Sequence, residues 1–172
     1  GARRGRGAAL AEEFARRGAH LRLSARAGDQ VGLEQTRQRC MSPQRHHVIP
    51  FDLTKPEEIA VANRKALEVA GRIDMLVNNA GMTHRSRLLE TSLDVDRRIM
   101  EVNYFGPVTL TKLVAPQMIR QGGGQIVAIA SVLGLIATPQ RSAYIAAKHA
   151  MNGFFEALRT ETAEQGISVT LV

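Results

Sequence analysis

The sequence predicts an α/β fold that is built on a parallel β-sheet. Short runs of β-branched residues alternate with longer segments of helical periodicity, a pattern typical of this class. A glycine-rich loop at residues 1–7 runs directly into the first of these helical segments. The chain has 172 residues, 44% of them hydrophobic, which suits a single domain over 1–172 with a sizeable core.

The amino-terminal half is predicted to alternate helix and strand, and its helices carry recognisable end signals. Gly18 terminates the first helix at about Arg17, because glycine readily takes the conformation that ends a helix. Thr54 is the expected N-cap of the third helix, which has Pro56 in its first turn. The first predicted helix follows the glycine loop and ends at about Arg17, and the next two cover 29–39 and 56–70. The predicted strands are His20–Ala25, His47–Pro50 and Ile73–Val77.

The carboxyl-terminal half is predicted to contain two long helices, each followed by a strand. Three glycines at 122–124 break the first helix, and Gly166 follows the second. The chain opens inside a glycine loop without a preceding apolar strand and closes on a strand, so we interpret it as part of a larger domain. The predicted helices are Leu93–Gln121 and Ser142–Gln165, and the predicted strands are Gln125–Ala130 and Ile167–Val172.

The composition excludes several classes of protein. The longest nearly apolar run, 127–138, has 12 residues, whereas a membrane helix needs about 20. No apolar segment follows the amino terminus, so we expect no signal peptide. The single cysteine, Cys40, excludes an internal disulfide framework and a multi-cysteine zinc site, and it favours a reducing, cytoplasmic location.

The net charge is +7, and it raises the question of a nucleic-acid partner. The chain contains only two tyrosines and five phenylalanines, has no tryptophan and carries no lysine-rich tail. We therefore expect no nucleic-acid partner and interpret most of the arginines as a solvated face.

Glycines at positions 1, 5 and 7 form a G-x-x-x-G-x-G motif directly before a helix. Glycine permits a tight turn, and the helix N-terminus offers free N–H groups to a diphosphate. The alternative reading of this motif is a plain turn.

If a dinucleotide binds, the end of the second strand should distinguish NAD from NADP, because NAD enzymes place an acid there. Arg26 stands there instead, and with Arg4 it favours the 2′-phosphate of NADP over NAD. The alternative is that both arginines are ordinary surface residues.

Tyr144 and Lys148 lie four residues apart in a helical segment and therefore on one helix face. An ammonium beside a phenol stabilises the phenolate, which suits general acid–base chemistry. Such a pair alone is often a surface feature, but Ser131 follows a predicted strand, where ligands bind in open α/β sheets. Asn103 interrupts an apolar helix, and Pro107 cannot donate to its carbonyl, which frees that group. An asparagine tolerated at a proline kink is the alternative.

Taken together and in this order, these motifs resemble the short-chain dehydrogenase/reductase family. The resemblance covers essentially the whole chain and implies a Rossmann-type doubly wound parallel sheet, incomplete at both ends. The matching residues are Gly1-x-x-x-Gly5-x-Gly7, Asp52-Leu53, Asn78-Asn79-Ala80-Gly81, Asn103, Ser131 and Tyr144-x-x-x-Lys148.

The resemblance implies an NADP(H)-dependent oxidoreductase that moves a hydride between a nicotinamide cofactor and a carbonyl or secondary alcohol. Ser131 would hydrogen-bond the substrate carbonyl, and Tyr144 would exchange the proton. Lys148 would hold the nicotinamide ribose, and the main chain of Asn103 would hold a water molecule in a proton relay. The resemblance assigns the remaining cofactor contacts to Gly1, Arg4, Gly5, Gly7, Arg26, Asp52, Leu53, Asn79, Ala80 and Gly81.

Two residues of the loop depart from the family pattern. Arg3 replaces a small or hydroxyl residue, and Arg6 replaces an apolar residue whose burial would be costly for a charge. The family's first strand, which lies between its second and fourth strands, has no counterpart here, so two sheet edges should lack a partner. The substrate-covering segment also has no counterpart, and we expect these 172 residues alone to be inactive.

Alternative functions follow from the same departures. Arg3 and Arg6 suggest a dinucleotide-binding scaffold or sensor without catalysis, and the net charge suggests a basic nucleic-acid module. We predict that His46 and His47 are surface residues and not metal ligands, and that Cys40 is not a nucleophile. His84 and Arg85 are candidates for the border of the substrate mouth.

The resemblance also implies a small-molecule substrate and a homodimer or homotetramer formed through the 93–121 and 142–165 helices. The apolar and small residues expected on these helix faces are Val108, Leu110, Leu113, Val114, Ala146, Ala147, Ala150, Gly153 and Phe154.

Overall fold

The computed structural model describes residues 1–172, and its helices and strands alternate as the sequence predicts. The helices are α1 (Gly5–Arg16), α2 (Gln30–Arg39), α3 (Pro56–Ala70), α4 (Leu93–Met100), α5 (Gly106–Arg120) and α6 (Ser142–Glu161). The strands are β1 (Arg22–Leu23), β2 (His47–Val48), β3 (Met75–Asn78), β4 (Gly124–Ala128) and β5 (Ile167–Leu171). No helix combines the length and the apolar character that crossing a bilayer requires.

All strand pairs are parallel, which confirms the predicted fold class, but the strands form two separate sheets. One sheet pairs β1 with β2, and the other has the order β3-β4-β5. In the second sheet Asn78 lies opposite Ala128, and Ala128 lies opposite Leu171. The edge of β1 away from β2 and the edge of β3 away from β4 have no strand partner, as expected for a sheet without the family's first strand.

Residues 1 and 2 lie between the two sheets and touch both. The backbone N–H of Ala2 donates to the carbonyl of Ser24, which follows β1 (3.0 Å). On the other side, Asn79 Nδ2 donates to the carbonyl oxygen of Gly1 (3.4 Å). The glycine loop therefore begins where the carboxyl ends of β1 and β3 approach each other.

Each sheet has its own hydrophobic core. Helices α5 and α6 cover the three-stranded sheet with buried residues that include Val114, Met118 and Phe155. Helices α1 and α2 cover the two-stranded sheet, where Leu33 and the free thiol of Cys40 are buried. Burial raises the pKa of the Cys40 thiol, which disfavours the reactive thiolate.

Two residues expected on helix faces open to a partner belong instead to the protein interior. Val114 is 1% exposed in the core of the three-stranded sheet. Ala147 is 0% exposed, and it packs against Ile99 where α6 meets α4. The prediction was wrong for these two positions because the sheet and α4 already cover that side of α5 and α6.

The predicted helix Leu93–Gln121 is not a continuous α-helix. A π-helical turn, Glu101–Phe105, separates α4 from α5, and the backbone N–H of Gly106 donates to the carbonyl of Glu101. Pro107 follows in the first turn of α5, where its missing N–H is tolerated. The local change to i→i+5 bonding is the structural response to this proline and to the buried Asn103.

Thr54 does not cap α3, so that prediction was wrong. The residue before the helix is Lys55, whose side chain makes no capping bond. Both the backbone N–H and the hydroxyl of Thr54 donate instead to Asp52 Oδ1 (2.9 Å each). Because α3 begins at Pro56, Lys55 occupies the N-cap position and Thr54 stands one residue too early to cap the helix.

His46 is buried, contrary to the expected surface position, whereas His47 is exposed. His46 Nδ1 accepts from the backbone N–H of Leu21 (3.2 Å), and its Nε2 lies 2.8 Å from the carbonyl oxygen of Met41. This imidazole therefore joins the loop before β2 to the start of β1. No group of three or more His, Cys, Asp or Glu side chains in the chain is placed to hold a metal ion.

Candidate active site

The candidate catalytic residues lie after the carboxyl end of β4, on the first two turns of α6 and, for Asn103, in the π-helical turn between α4 and α5. β4 ends at Ala128, and Ser131 follows it at the start of a short 3₁₀ turn, Val132–Gly134. Tyr144 and Lys148 lie in the first half of α6. The parallel sheet thus presents the Ser131 segment at the edge where open α/β folds bind ligands.

Lys148 is the most constrained of these residues. Its side chain is 4% exposed, and Nζ donates to the carbonyl oxygen of Ile129, 2.8 Å away. This bond ties α6 to the segment that follows β4, two residues before Ser131. Burial of the ammonium, together with the positive charge of Arg6, lowers the pKa of Lys148 from 10.5 to about 8.

The Tyr144 ring lies beside this ammonium, with 5.8 Å between Lys148 Nζ and the ring centroid. The ring is partly buried against the cluster formed by Ile99, Ala143 and Ala147. The ammonium lies over the face of the ring, where the ring quadrupole attracts a cation. Tyr144 and Lys148 are therefore neighbours on one face of α6, as their spacing predicts.

Ser131 is held by its own backbone turn and by the packing of that turn on α6. Its Oγ accepts from the backbone N–H of Leu133 (3.2 Å). A Cβ at Gly134 would lie 3.1 Å from the carbonyl oxygen of Lys148, so the turn can lie flat on α6 only because residue 134 is glycine. The structure thus brings Ser131 and Lys148 to adjoining elements.

Asn103 acts through its side chain, a role that the sequence analysis did not identify. The residue is 0% exposed. Its Oδ1 accepts from the backbone N–H of Met82 (3.1 Å), and its Nδ2 donates to the carbonyls of Met82 (2.8 Å) and Ile99 (2.9 Å). The amide therefore fixes the segment after Gly81 against the π-helical turn.

The glycine loop is packed closely at one glycine and open at another. A Cβ at Gly7 would overlap the carbonyl oxygen of Gly1 and lie 2.7 Å from Asn79 Nδ2. Gly5, with φ +56°, has no atom within 4 Å of its missing Cβ. The space that a Gly5 side chain would fill is therefore open, which fits close approach of another group to the backbone at the start of α1.

The arginines of the loop are distributed over two environments. Arg4 and Arg6 are exposed, and neither forms an ion pair. The burial cost expected for Arg6 is absent because its side chain reaches solvent. Arg3 is different: its Nη1 lies 2.9 Å from Asp29 Oδ1, and Asp29 Oδ2 lies 3.6 Å from Arg26 Nε.

Asp52 and Leu53 each have a structural role beside any contact with a cofactor. Hydrogen bonds from Thr54 lower the pKa of Asp52. Leu53 packs on α5, and a Cβ at Gly106 would lie 2.7 Å from the Leu53 carbonyl oxygen and 2.8 Å from its Cβ. These contacts fix the turn after β2.

In the Asn78–Gly81 segment, Asn78 Nδ2 donates to Thr111 Oγ1 (3.2 Å), and Ala80 is partly buried.

A polar bridge joins the segment after Gly81 to the start of α6, and it could not be recognised from the sequence. Arg141 Nη1 donates to Thr83 Oγ1 (2.6 Å), and Arg85 Nε donates to Gln140 Oε1 (2.9 Å). The backbone N–H of Ser86 donates to the carbonyl of Gln140 (3.1 Å). Gln140 itself has φ +64°, an uncommon conformation for a residue with a side chain.

His84 and Ser142 line a small recess next to this bridge. The bridge places Arg85 near the first turn of α6, and its predicted position at the substrate mouth stays a prediction.

Comparison with known proteins agrees with the fold and with the motifs. The profile of the short chain dehydrogenase family matches residues 1–172. Dehydrogenase/reductase SDR family member 7B of Xenopus laevis is 43% identical over 177 aligned residues, which cover 100% of this chain and 55% of that protein. Human dehydrogenase/reductase SDR family member 7 is 44% identical over 95% of this chain and 49% of that protein. The chain spans about half the length of these curated relatives.

Solved structures of similar proteins show the same architecture. A short-chain dehydrogenase from Streptomyces avermitilis superposes with a TM-score of 0.94 at 36% identity, covering 99% of this chain and 61% of that one. A gluconate 5-dehydrogenase from Burkholderia cenocepacia, solved with NADP and tartrate, has a TM-score of 0.88 at 29% identity. The alignment covers 97% of this chain and 65% of that enzyme.

Proposed function

This chain belongs to the short-chain dehydrogenase/reductase family, and from that premise we propose that its protein is an NADP(H)-dependent carbonyl reductase or alcohol dehydrogenase. The observation that carries the proposal is the buried ammonium of Lys148 beside the Tyr144 ring. A buried cation without a carboxylate partner is costly to maintain. Its presence next to a phenol is accounted for by a reaction in which negative charge develops on that phenol.

The chemistry can be divided between the cofactor and this chain. When bound, NADPH supplies the hydride that reduces a carbonyl. We propose that Ser131 Oγ donates a hydrogen bond to the substrate carbonyl oxygen and that Tyr144 delivers the proton to the same atom. Lys148 stabilises the phenolate that Tyr144 leaves behind, and it offers hydrogen bonds to the ribose hydroxyls.

Asn103 contributes in this proposal by placing the segment that follows β3. Its side-chain amide holds Met82 on both backbone polar groups, so the loop beside Tyr144 is rigid. We also propose that the Asn103 main chain holds a water molecule that passes protons to Lys148. The π-helical turn and Pro107 support this, because the turn departs from regular i→i+4 bonding at Asn103.

The preference for NADP over NAD is supported by charge. Arg26 is 59% exposed after β1, and Arg4 is exposed at the start of α1. Guanidinium groups bind a phosphate through paired hydrogen bonds. The direct test is calorimetric titration of the full-length protein with NADPH and NADH. Tighter binding of NADPH supports the proposal, and equal or tighter binding of NADH contradicts the cofactor preference.

The catalytic proposal is tested by Tyr144→Phe, and the chain offers a matched control because it contains only two tyrosines. Tyr104 is partly buried, and its ring lies 5.0 Å from the Phe105 ring and 6.3 Å from the Phe154 ring. Tyr144→Phe should lower turnover by about 100-fold or more and leave NADPH affinity intact. Tyr104→Phe should retain turnover. Undiminished activity in Tyr144→Phe would refute the assignment.

A non-catalytic dinucleotide sensor is the second candidate, favoured by the unusual charge of Arg3 and Arg6 in the loop. It predicts cofactor binding without turnover on a broad panel of aldehydes and ketones. We further propose a homodimer or homotetramer through α4, α5 and α6, where Leu113 (37%) and Ile119 (38%) are exposed on α5 and Phe105 (48%) is exposed on the adjoining π-helical turn. The cytoplasmic location stays a prediction.

A further inference from the structure

Asp29 lies between two arginines that come from different parts of the chain. Arg3 belongs to the glycine loop, and its Nη1 is 2.9 Å from Asp29 Oδ1. Arg26 follows β1, and its Nε is 3.6 Å from Asp29 Oδ2. The Asp29 side chain is only 15% exposed, so solvent screens these interactions weakly. The shorter and more direct of the two pairings is the one with Arg3.

Arg3 is held in this position by packing as well as by charge. A Cβ at Gly32 would lie 3.2 Å from Arg3 Cβ, so the Arg3 stem runs against α2 where α2 has no side chain. Thr36 Oγ1 also lies 3.4 Å from the Arg3 carbonyl oxygen, although the Gly32 carbonyl oxygen is the closer acceptor for its single proton, at 3.1 Å. The Arg3 side chain is 32% exposed, whereas that of Arg26 is 59% exposed.

Asp29 and an incoming phosphate compete for the same guanidinium groups. A carboxylate and a 2′-phosphate are both anions, and both bind guanidinium groups through paired hydrogen bonds. If Asp29 were paired with Arg26 alone, it would occupy that guanidinium and repel an incoming phosphate. With Arg3 present the three groups sum to one positive charge, and Arg26 keeps its more exposed side open.

We propose that Arg3 is a specificity-determining residue, which takes the closer pairing with Asp29 and so leaves Arg26 more available for the 2′-phosphate of NADP. This inference rests on the proposed use of NADP. It assigns Arg3 a role at the adenosine end of the cofactor although Arg3 lies in the loop that binds the diphosphate. It also explains why the loop tolerates an arginine where the family has a small residue.

The test measures the dissociation constants of NADPH and NADH for the full-length protein and its variants. Arg3→Ser should weaken NADPH binding by about tenfold, which corresponds to the loss of one favourable charge interaction. It should change NADH binding by less than about twofold, since NADH has no 2′-phosphate. The double variant Arg3→Ser with Asp29→Asn should recover most of the NADPH affinity, because no carboxylate then competes for Arg26.

Each outcome decides between this inference and a structural role for Arg3. If Arg3→Ser weakens the binding of NADPH and NADH equally, and the added Asp29→Asn does not restore NADPH binding, Arg3 only anchors the loop and the inference is wrong. An unchanged NADPH affinity in Arg3→Ser also overturns it. Asp29→Asn alone, which keeps the loop anchor, should bind NADPH at least as tightly as the native protein, and weaker binding would contradict the inference.

Failure of the proposed function looks different. In that case the native protein shows no preference for NADPH, and Arg26→Ala changes neither dissociation constant.

Discussion

Arg141 and Thr83 are joined across 58 positions of the chain by a hydrogen bond of 2.6 Å from Nη1 to Oγ1. The first residue precedes α6 directly, and the second follows the segment that Asn103 fixes. This bond therefore relates the position of Tyr144 to that of the loop after β3. Because the bond itself is exposed to solvent, it contributes to geometry more than to stability.

Removing this hydrogen bond should slow turnover without unfolding the protein. Arg141→Ala and Thr83→Val should each lower kcat several-fold and leave the free energy of unfolding within about 1 kcal/mol of the native value. If the bond is the cause, the double variant should be no slower than either single variant. Arg120→Ala is the matched control, since Arg120 bonds only to Gln117 on its own helix. Additive losses of kcat would contradict the prediction.

Lys148 makes the stability of the protein depend on alkaline pH in a predictable direction. Its folded-state pKa of about 8 lies below the ordinary value of 10.5, so between these values the unfolded chain binds more protons. Stability therefore rises with pH across this window. Compared with Lys148→Met, the native protein should gain up to about 3 kcal/mol between pH 8 and pH 10.5. Urea titrations of both proteins at several pH values measure this difference, and a flat difference curve would contradict it.

Loss of the Asn103 amide should be strongly destabilising. Asn103→Ala would leave both backbone polar groups of Met82 without this partner inside the protein, and each such group costs about 1–3 kcal/mol. We expect a loss of about 2–4 kcal/mol in the free energy of unfolding. Asn152→Ala is the comparison, because Asn152 is partly buried and bonds only to the carbonyl of Gly134. Chemical denaturation measures the free energy of unfolding of both variants. Equal losses would show that the Asn103 amide does not stabilise the Met82 segment.

The two glycines of the loop should respond differently to alanine. Gly7→Ala places a methyl group on the Gly1 carbonyl and against Asn79. It should therefore separate the loop from β3 and weaken the binding of both NADPH and NADH at least tenfold. Gly5→Ala meets no atom, but its φ of +56° is strained for alanine, which costs about 1 kcal/mol. Calorimetry and thermal unfolding test this pair. A Gly7→Ala variant with native cofactor affinity would show that the loop has room to move.

Most helix boundaries could be predicted from local chemistry. Gly18 lies two residues after the last residue of α1 and Gly71 directly after α3, and they take positive φ values of 86° and 72°, which glycine does without steric cost. The strands were harder to bound. The predicted strand His20–Ala25 is reduced to Arg22–Leu23, although carbonyls as far as Ala25 still accept from the β2 segment. The length of a strand depends on how far its partner runs beside it, which no local pattern specifies.

The residues of the candidate site also differ in whether the sequence could predict them. Tyr144 and Lys148 could be found because a helix brings residues four apart together, and Ser131 because it follows a strand. The side-chain role of Asn103, the bond between Thr83 and Arg141, and the pairing of Arg3 with Asp29 could not be found. Each joins segments that are distant in sequence, and no residue in such a pair carries a periodic signal. The same holds for His46, which looked like a surface histidine.

The π-helical turn at Glu101–Phe105 has a consequence for how the sequence can change during evolution. Such a turn contains one residue more than an α-helix of the same rise. Deleting one residue here would therefore convert the turn to regular α-helix and leave Val114 and Met118 facing the sheet that they cover. Homologous sequences should accordingly tolerate the loss of a single residue in this segment, at the cost of the irregular backbone at Asn103.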